Sequence, residues 1–345
     1  MAAAGWLLIC KPTCDVHEMR VACGGLRGAS ERPMILTVTM NPSLDKVYLV
    51  DDYQVGKVFR PKAMTATAGG KGINVTRVAS ILGAPVTATG LLGGSIGSII
   101  ASDVANLGVV ERFVRIPGET RICINVVDEK TRTSTEILEP GPEVSEYQGS
   151  AFVESYDRLL DDCQVVVASG SLPRGLPVDF YGQLVRLAKR KGKAFILDTS
   201  GEYLKAALRE APFMIKPNQD ELWQIAGENL RSLQDCASVL MRIKQQGVHL
   251  PVLTLGKDGC LAALSDGVYH FFAPPVEVVN TVGSGDSFVA GVAVALSRGV
   301  GEQEAIVLGM ACGMANTQYF QTGVVSVKLV EEYKRLVMCE KLASY

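Results

Sequence analysis

The spacing of apolar residues changes several times along the chain, and each change marks a predicted element. A continuous apolar run predicts a buried strand, alternation predicts a half-exposed strand, and a three-to-four-residue period predicts a helix. The predicted elements of the first half are, in order, strands at 35–39, 46–52 and near Val58, a helix at 73–82, a strand at 86–92, a helix at 96–107, and short strands at 112–115, 121–127 and 133–138.

The second half alternates more regularly between strands and helices. Its apolar runs are separated by helical stretches of about ten to fifteen residues, which is typical of βαβ units in a parallel sheet. The predicted strands lie at 165–168, 194–197, 213–215 and 252–255, a β-pair follows near 259–272, and helices at 284–298, 302–319 and 328–342 close the chain. This pattern predicts an α/β sandwich of three layers, with a central, mostly parallel sheet between helices.

The short strands at 46–62 and 111–138 do not fit inside a parallel sheet. We expect them to form a small separate β-sheet across one edge of the core. In a transferase, such a sheet would act as a lid that keeps water away from the reacting groups.

The composition excludes several classes of function. At 345 residues the chain has room for one large domain, or for one domain with an appendage. Lys and Arg (34) nearly balance Asp and Glu (36) without a basic block, so nucleic acid and membranes are poor candidate partners. The nine cysteines contain no CxxC pair, which indicates reduced thiols and a cytoplasmic location. None of the three histidines lies in a glycine cluster, so any catalytic base would be a carboxylate.

Residues 1–33 show no periodic pattern. We interpret them as a disordered leader or a misassigned start, and place folding and function in residues 34–345. A metal site is the alternative interpretation. The ligands of such a site would be Cys10, Cys14, His17 and Cys23, whose spacing matches no common metal site.

Asn280-Thr-Val-Gly-Ser-Gly-Asp286 is the most informative stretch. A glycine-spaced turn leads directly into a predicted helix, whose unpaired N–H groups and dipole attract an anion. A carboxylate on the first turn could take the proton of a hydroxyl while the anion is a transferring phosphoryl group. Alternatively, the segment is an ordinary glycine turn before a helix.

A second glycine cluster, Ala68-Gly69-Gly70-Lys71-Gly72-Ile73-Asn74, opens the first helix. We expect the carboxyl edge of one parallel sheet to bring the two glycine turns face to face across a single cleft. Gly69 and Gly70 allow the backbone to approach a ligand, and Lys71 and Asn74 share a helix face. Asp45 follows the first strand, where ligands gather in open α/β sheets. Ordinary capping and turn roles are the alternative for each segment.

The remaining candidates lie at predicted strand ends or in the lid. Arg121 begins a lid strand and suits phosphate binding, and Ser171 lies in a Ser-Gly-Ser turn. Asn218 and Glu221 could form a capping box or organise Mg²⁺ around nucleotide phosphates. Lys216 precedes them, and the strand-to-turn segment Thr254-Leu-Gly256-Lys-Asp-Gly259 either receives a nucleotide or is a plain turn.

The order of these segments resembles the ribokinase-like (PfkB-type) carbohydrate kinase family. From Met34 to about Tyr333, the chain carries Asp45, Gly-Gly-Lys-Gly-x-Asn, Ser-Gly-Ser-Leu-Pro, Lys-Pro-Asn-x-x-Glu, Leu-Gly-x-x-Gly and Asn-Thr-Val-Gly-Ser-Gly-Asp. It is similar to the phosphosugar branch, which contains tagatose-6-phosphate kinase and 1-phosphofructokinase. Three stretches are more similar to the former: Thr135-Glu-Ile-Leu-Glu-Pro-Gly-Pro142, Asn280 to Asp286, and Gln321-Thr-Gly-Val-Val325.

The resemblance implies a role for each matched residue. Asp286 would be the base, and the N–H groups of Gly283, Ser284 and Gly285 would stabilise the transferring phosphoryl group. Asp45, Gly70 and Asn74 would hold sugar hydroxyls, with Gly69 beside them. Lys71, Arg121 and Ser171 would bind the phosphate already on the sugar. On the nucleotide side, Lys216, Asn218 and Glu221 would act on ATP phosphates and, through water, on Mg²⁺, and Thr254, Gly256 and Gly259 would line the nucleotide site.

The implied activity is ATP-dependent phosphorylation of a ketohexose phosphate, with Mg²⁺ as cofactor and a need for K⁺ left open. D-tagatose 6-phosphate is the expected acceptor, which would place the reaction in lactose metabolism; fructose 1-phosphate is the alternative. A sugar-phosphate-binding protein without turnover is the alternative of another class. Because small lid sheets need cover at their edges, we also expect a homodimer formed through the lid.

Overall fold

A computed structural model describes residues 34–227 and 230–344. The predictions made for residues 1–33, including the alternative metal site, lie outside these residues.

The large sheet contains eleven strands. Its middle strands are parallel, and the three at one edge are antiparallel. Their order from edge to edge is β15 (Met338–Ser344), β14 (Gly267–Phe272), β13 (Cys260–Leu264), β12 (Leu250–Thr254), β11 (Met214–Ile215), β10 (Ala194–Asp198), β9 (Cys163–Ser169), β1 (Met34–Thr39), β4 (Val86–Gly93) and β5 (Val110–Glu111), with β6 (Val114–Ile116) also paired to β4.

Helices cover both faces of this sheet, which confirms the three-layer α/β sandwich. On one face lie α1 (Lys71–Ile81), α2 (Gly94–Asn106), α8 (Ser284–Ser297), α9 (Glu302–Asn316) and α10 (Val327–Lys334). On the other lie α3 (Glu146–Leu159), α4 (Phe180–Arg190), α5 (Gly201–Leu208), α6 (Gln219–Ala226) and α7 (Leu233–Gln245). Among the described helices, none combines the length and apolar character needed to cross a bilayer.

The alternating side chains of the central strands divide the apolar core into two parts. On β1, Ile35 joins the cluster under α1 and α8, whereas Leu36 and Val38 join the cluster under α3 and α4. All three are fully buried, and each such side chain stabilises the fold by about 1.5–3 kcal/mol. Because the central strands are parallel, their carboxyl ends lie at one edge of the sheet. The turns that follow several of them contribute to the candidate site.

The small sheet has the order β3 (Ala63–Gly69), β2 (Ser43–Val50), β7 (Arg121–Asp128) and β8 (Thr133–Leu138). Two boundaries differ from the prediction. Residues 51–62 form turns and loop, so the strand expected near Val58 is β3 instead. Strands β5 and β6, at 110–116, pair with β4 in the large sheet rather than with the lid. Strands β2 and β7 pair in parallel. The alternation of polar and apolar residues predicts each strand but does not show which strands pair.

The end of the chain also differs from the prediction. The last helix stops at Lys334, and residues 338–344 form the strand β15, which pairs antiparallel with β14. Strand pairing here outweighs the helical spacing of the apolar residues. This strand covers an edge of the sheet that would otherwise be open.

Candidate active site

Helix α8 begins with a glycine turn that no side chain caps. Gly283 has a left-handed backbone (φ +82°). The N–H of Ser284 donates to the carbonyl of Thr281 (3.2 Å) within the turn. In the part of the chain that the structure describes, the N–H groups of Gly283 and Gly285 have no such partner. Of the three predicted donors, these two are the ones left for a ligand.

Asp286, on the first turn of α8, is 7% exposed. Its Oδ2 accepts a hydrogen bond of 2.8 Å from Nδ2 of Asn74, on the first turn of α1. The two residues are 212 positions apart in sequence. This bond shows that the two glycine turns meet at one site, as the sequence predicted.

Burial is the main reason why the pKa of the Asp286 carboxyl rises from 3.8 to about 6. The negative charge of Asp198 raises it further, while the Asn74 amide, Lys71 and Lys216 oppose the rise. A base whose pKa lies near neutrality is well suited to remove a proton from a hydroxyl.

Asp198 is a site residue that the sequence analysis missed. It ends strand β10, is 1% exposed, and neither carboxylate oxygen has a hydrogen-bond partner in the structure. The ammonium groups of Lys216 (3.5 Å) and Lys71 (3.7 Å) lie within ion-pair distance of it. Its position at the end of a buried strand is the same signal that identified Asp45.

Lys71 lies at the meeting point of three carboxylates. Its pKa is raised above 10.5, first by Asp198 and also by Asp286 and Glu221, against the effect of burial. The Lys71 side chain is 45% exposed, so its ammonium group remains accessible. The contact of Lys71 with the phosphate of the sugar stays a prediction.

Asp45 and Gly69 form the far side of the site, on neighbouring lid strands. Asp45 accepts a hydrogen bond from the Ser43 hydroxyl (2.6 Å). A Cβ placed on Gly69 would lie 2.0 Å from the Asp45 carboxylate, so a larger residue there would have to displace that carboxylate. Burial raises the pKa of Asp45, opposed by the Ser43 hydrogen bond, Arg121 and Arg77. Gly70 (φ +103°) adopts a backbone that favours glycine and turns the chain into α1.

Arg121 and Ser171 are brought together through Asn41, which the sequence analysis did not select. Arg121 donates to the Asn41 carbonyl (3.0 and 3.2 Å) and to the carbonyl of Glu139 (3.2 Å). The Asn41 amide donates to the Ser171 hydroxyl (3.4 Å) and to the Pro140 carbonyl (3.2 Å). A cavity of about 470 Å³ borders Arg121. The guanidinium is thus held by backbone carbonyls.

The other residues predicted to bind the nucleotide follow Lys216 in the sequence. Asn218 and Glu221 form the predicted capping box, with two hydrogen bonds of 2.9 Å. Thr254 pairs with Asn218 and donates to the Pro217 carbonyl (3.3 Å). Gly256 (φ +61°) and Gly259 (φ +90°) bound the turn that follows β12. A capping box does not exclude a role in binding, because a carboxylate keeps further acceptor capacity.

The distribution of charge agrees with a site for phosphoryl transfer. Lys216 is 7% exposed, and a Cβ on Gly285 would lie 3.3 Å from its Nζ, which places the ammonium beside the start of α8. The positive charges of Lys71 and Lys216 act on the Asp286 carboxyl, and the N–H groups of Gly283 and Gly285 lie at the start of the same helix. Such an arrangement stabilises charge that develops on a transferred phosphoryl group.

Comparison with known proteins gives a consistent result. The model of the pfkB family carbohydrate kinases matches residues 38–328. A Staphylococcus aureus protein provisionally assigned as a phosphofructokinase is 31% identical, with 90% of this chain and 100% of that chain covered and a TM-score of 0.78. Phosphofructokinase-2 from Escherichia coli, in complex with potassium, is 29% identical (88% and 98% covered, TM-score 0.81). A possible 1-phosphofructokinase from Thermotoga maritima is 28% identical (90% and 100% covered, TM-score 0.82).

Proposed function

The chain belongs to the pfkB family of carbohydrate kinases, and on that premise we propose that it transfers the γ-phosphoryl group of ATP to a hydroxyl of a ketohexose phosphate. The observation that carries the proposal is the 2.8 Å hydrogen bond from Asn74 to Asp286. It brings a glycine turn suited to a sugar within reach of a glycine turn suited to a phosphoryl group, with a carboxylate base between them.

In the proposed mechanism, Asp286 removes the proton from the acceptor hydroxyl as that oxygen attacks the γ-phosphorus of ATP. The bond between the γ-phosphorus and the bridging oxygen breaks, and ADP leaves. The N–H groups of Gly283 and Gly285 stabilise the transferring group, together with the ammonium groups of Lys71 and Lys216. A positioned base contributes about 10²–10⁴ in rate.

Asp198 and Glu221 fit a role in holding Mg²⁺. The two unpartnered oxygens of Asp198 are the kind of ligand that Mg²⁺ takes in proteins. Glu221 uses one carboxylate oxygen, Oε2, in its capping box, so the other is free to reach the ion through water. When bound, Mg²⁺ neutralises charge on the ATP phosphates. Lys216, Asn218, Thr254, Gly256 and Gly259 are proposed to bind or border the nucleotide.

For the acceptor, we propose that Asp45, Gly69, Gly70 and Asn74 surround the sugar hydroxyls. Arg121 and Ser171 would bind the phosphate already on the sugar. Arg121 would then exchange its carbonyl partners for phosphate oxygens, which a guanidinium binds in a bidentate manner. The linkage of both residues through Asn41 supports this pairing.

D-tagatose 6-phosphate is our proposed acceptor, and D-tagatose 1,6-bisphosphate the product. The similarity of three stretches to tagatose-6-phosphate kinase supports this choice. Fructose 1-phosphate is the second candidate, favoured by the similarity to the Thermotoga maritima protein. Fructose 6-phosphate also has to be tested, because Escherichia coli phosphofructokinase-2 has been solved in complex with it.

The test is a comparison of kcat/KM for tagatose 6-phosphate, fructose 1-phosphate and fructose 6-phosphate in a coupled ADP-release assay. We expect the highest value for tagatose 6-phosphate. A higher value for either fructose phosphate would reassign the acceptor and leave the kinase activity in place. ADP release that never exceeds the rate without sugar would favour a binding protein without turnover.

We also propose that the protein works in the cytoplasm as a homodimer formed through the small sheet. Met64, Ile137 and Leu138 of that sheet are each more than half exposed, and its edges need cover. Escherichia coli phosphofructokinase-2 has been solved in a tetrameric form. Light scattering at several concentrations tests this, and a mass of 36.9 kDa throughout would contradict it. Replacing Na⁺ by K⁺ in the same assay tests a need for potassium.

A further inference from the structure

We propose that Arg77 is a positioning residue for the base: it fixes the orientation of the Asn74 amide so that its NH₂ group, and not its oxygen, faces Asp286. This inference rests on the proposed function, because it concerns how the same base is kept ready. Arg77 itself does not touch Asp286 in the described structure.

The contact geometry supports this role. Nη1 of Arg77 donates to Oδ1 of Asn74 (3.0 Å), one turn away on α1. Nδ2 of the same amide donates to Asp286 (2.8 Å). The two ends of an Asn amide are nearly equal in size, so shape alone does not choose between them. If the amide were rotated by half a turn, its oxygen would face a carboxylate and its NH₂ group a guanidinium, and both hydrogen bonds would be lost.

Arg77 is itself held by two backbone carbonyls. Nη2 donates to Ala68 (2.6 Å), next to Gly69 in the lid, and Nη1 also donates to Thr322 (3.2 Å). The following residue, Gly323, packs so closely that a Cβ there would lie 3.1 Å from both Nη1 and the Asn74 backbone. A lysine, which has one ammonium group in place of the planar guanidinium fork, could not make all these contacts.

These contacts connect the two sides of the site. The Ala68 carbonyl belongs to β3, the strand that ends at Gly69 in the proposed sugar site. The loop with Thr322 and Gly323 packs on the phosphoryl-side turn, since a Cβ on Gly283 would lie 3.1 Å from the Gly323 nitrogen. Arg77 thus aligns the amide relative to both substrates.

The charge of Arg77 is not among the main influences on the pKa of the Asp286 carboxyl. The groups that shape the charge around Asp286 are Asp198, Lys71, Lys216 and the Asn74 amide. Burial lowers the pKa of Arg77, opposed by Asp45 and by Asp103, whose carboxylate accepts the Ala68 N–H (3.2 Å). An arginine in such surroundings stays protonated near neutral pH. Arg77 therefore reaches the base through the amide.

The experiment measures the pH dependence of kcat/KM for Arg77→Lys and Arg77→Met. A misplaced amide no longer stabilises the ionised carboxylate, so we expect the acidic limb to move to higher pH by about one unit. We expect kcat to fall by about 10–100-fold. The phosphate groups of the substrates titrate in the same pH range as Asp286. Because this contribution is the same for every variant, the effect is measured as the difference in the position of the acidic limb between variant and wild type.

Arg298→Lys and Arg298→Met are the matched controls. Arg298 also ties α1 to another element, because its Nη2 donates to the Leu82 carbonyl (2.7 Å) at the far end of that helix. We expect these controls to leave the acidic limb in place. If they move it as far as the Arg77 variants do, Arg77 is only a structural tie and the inference is overturned.

A double-mutant cycle with Asn74→Ala separates positioning from other effects. Once the amide is absent, Arg77→Lys should cause little further shift of the limb, because the two residues act as one unit. Additive shifts would overturn the inference, as would folded Arg77 variants with an unchanged limb. It is also overturned if both Arg77 variants fail to fold while the Arg298 variants fold. A wild-type protein without any phosphosugar-dependent turnover would instead refute the proposed function.

Discussion

Asp286→Asn should inactivate the protein and at the same time stabilise its fold at neutral pH. Asn keeps the shape of the side chain and removes its charge. The pKa of the carboxyl is raised from 3.8 to about 6 by burial and by Asp198. That difference of about two units corresponds to about 3 kcal/mol by which ionisation destabilises the folded state. Up to this amount should be recovered in the variant.

The effect has a defined dependence on pH. Well below pH 3.8 the carboxyl is protonated in both folded and unfolded chains, so it makes no difference to stability. Between about pH 3.8 and 6 the unfolded chain releases the proton while the folded chain largely keeps it, and the folded wild type loses stability as the pH rises. The variant should therefore gain only a small part of its advantage at pH 4.5 and the full advantage above about pH 6.5.

Urea unfolding at pH 4.5 and 7.5 measures the free energies, and the coupled assay measures turnover, which should fall by about 10²–10⁴. Asp103→Asn is the control: its carboxylate accepts the Ala68 N–H, and its loss should not stabilise the protein at either pH. An Asp286→Asn variant that is active, or that is less stable than the wild type at pH 7.5, would refute the reasoning.

Three further predictions concern the surroundings of the base. Asp198→Asn removes one of the two causes that raise the pKa of Asp286, so the acidic limb of the pH profile of kcat/KM should move to lower pH. A limb that stays in place would contradict the assignment of that limb to Asp286. Gly69→Ala introduces a Cβ 2.0 Å from the Asp45 carboxylate; the KM for the sugar should rise severalfold while the KM for ATP stays constant, and steady-state titration of each substrate checks this. Arg121→Ala should raise the KM for a phosphosugar far more than for the unphosphorylated sugar, and equal effects would argue against phosphate binding there.

The sequence predicted the fold class because buried strands and covering helices differ in apolar spacing over many residues. It predicted the meeting of the two glycine turns because parallel strands end at the same edge of a sheet. Asn74 and Asp286 lie 212 positions apart, and their hydrogen bond follows from that topology.

Other features depend on contacts that are not visible in local patterns. Asp198 follows an apolar run but lies outside every glycine cluster, so the strand end alone did not single it out, and its two ammonium partners reveal its place in the site. The orientation of the Lys71 side chain depends on the same carboxylate. In the lid, β2 pairs in parallel with β7, whose residues lie far along the chain. Non-local pairing also makes a strand, β15, of the segment predicted as the end of the last helix.

The strand at the carboxyl terminus has a practical consequence. β15 lies beyond the residues matched to the family and is joined to β14 by backbone pairing and by the ion pair of Lys341 with Asp266 (2.8 Å). Removal of residues 338–344 would uncover the backbone of β14, a template for association between copies and eventual precipitation.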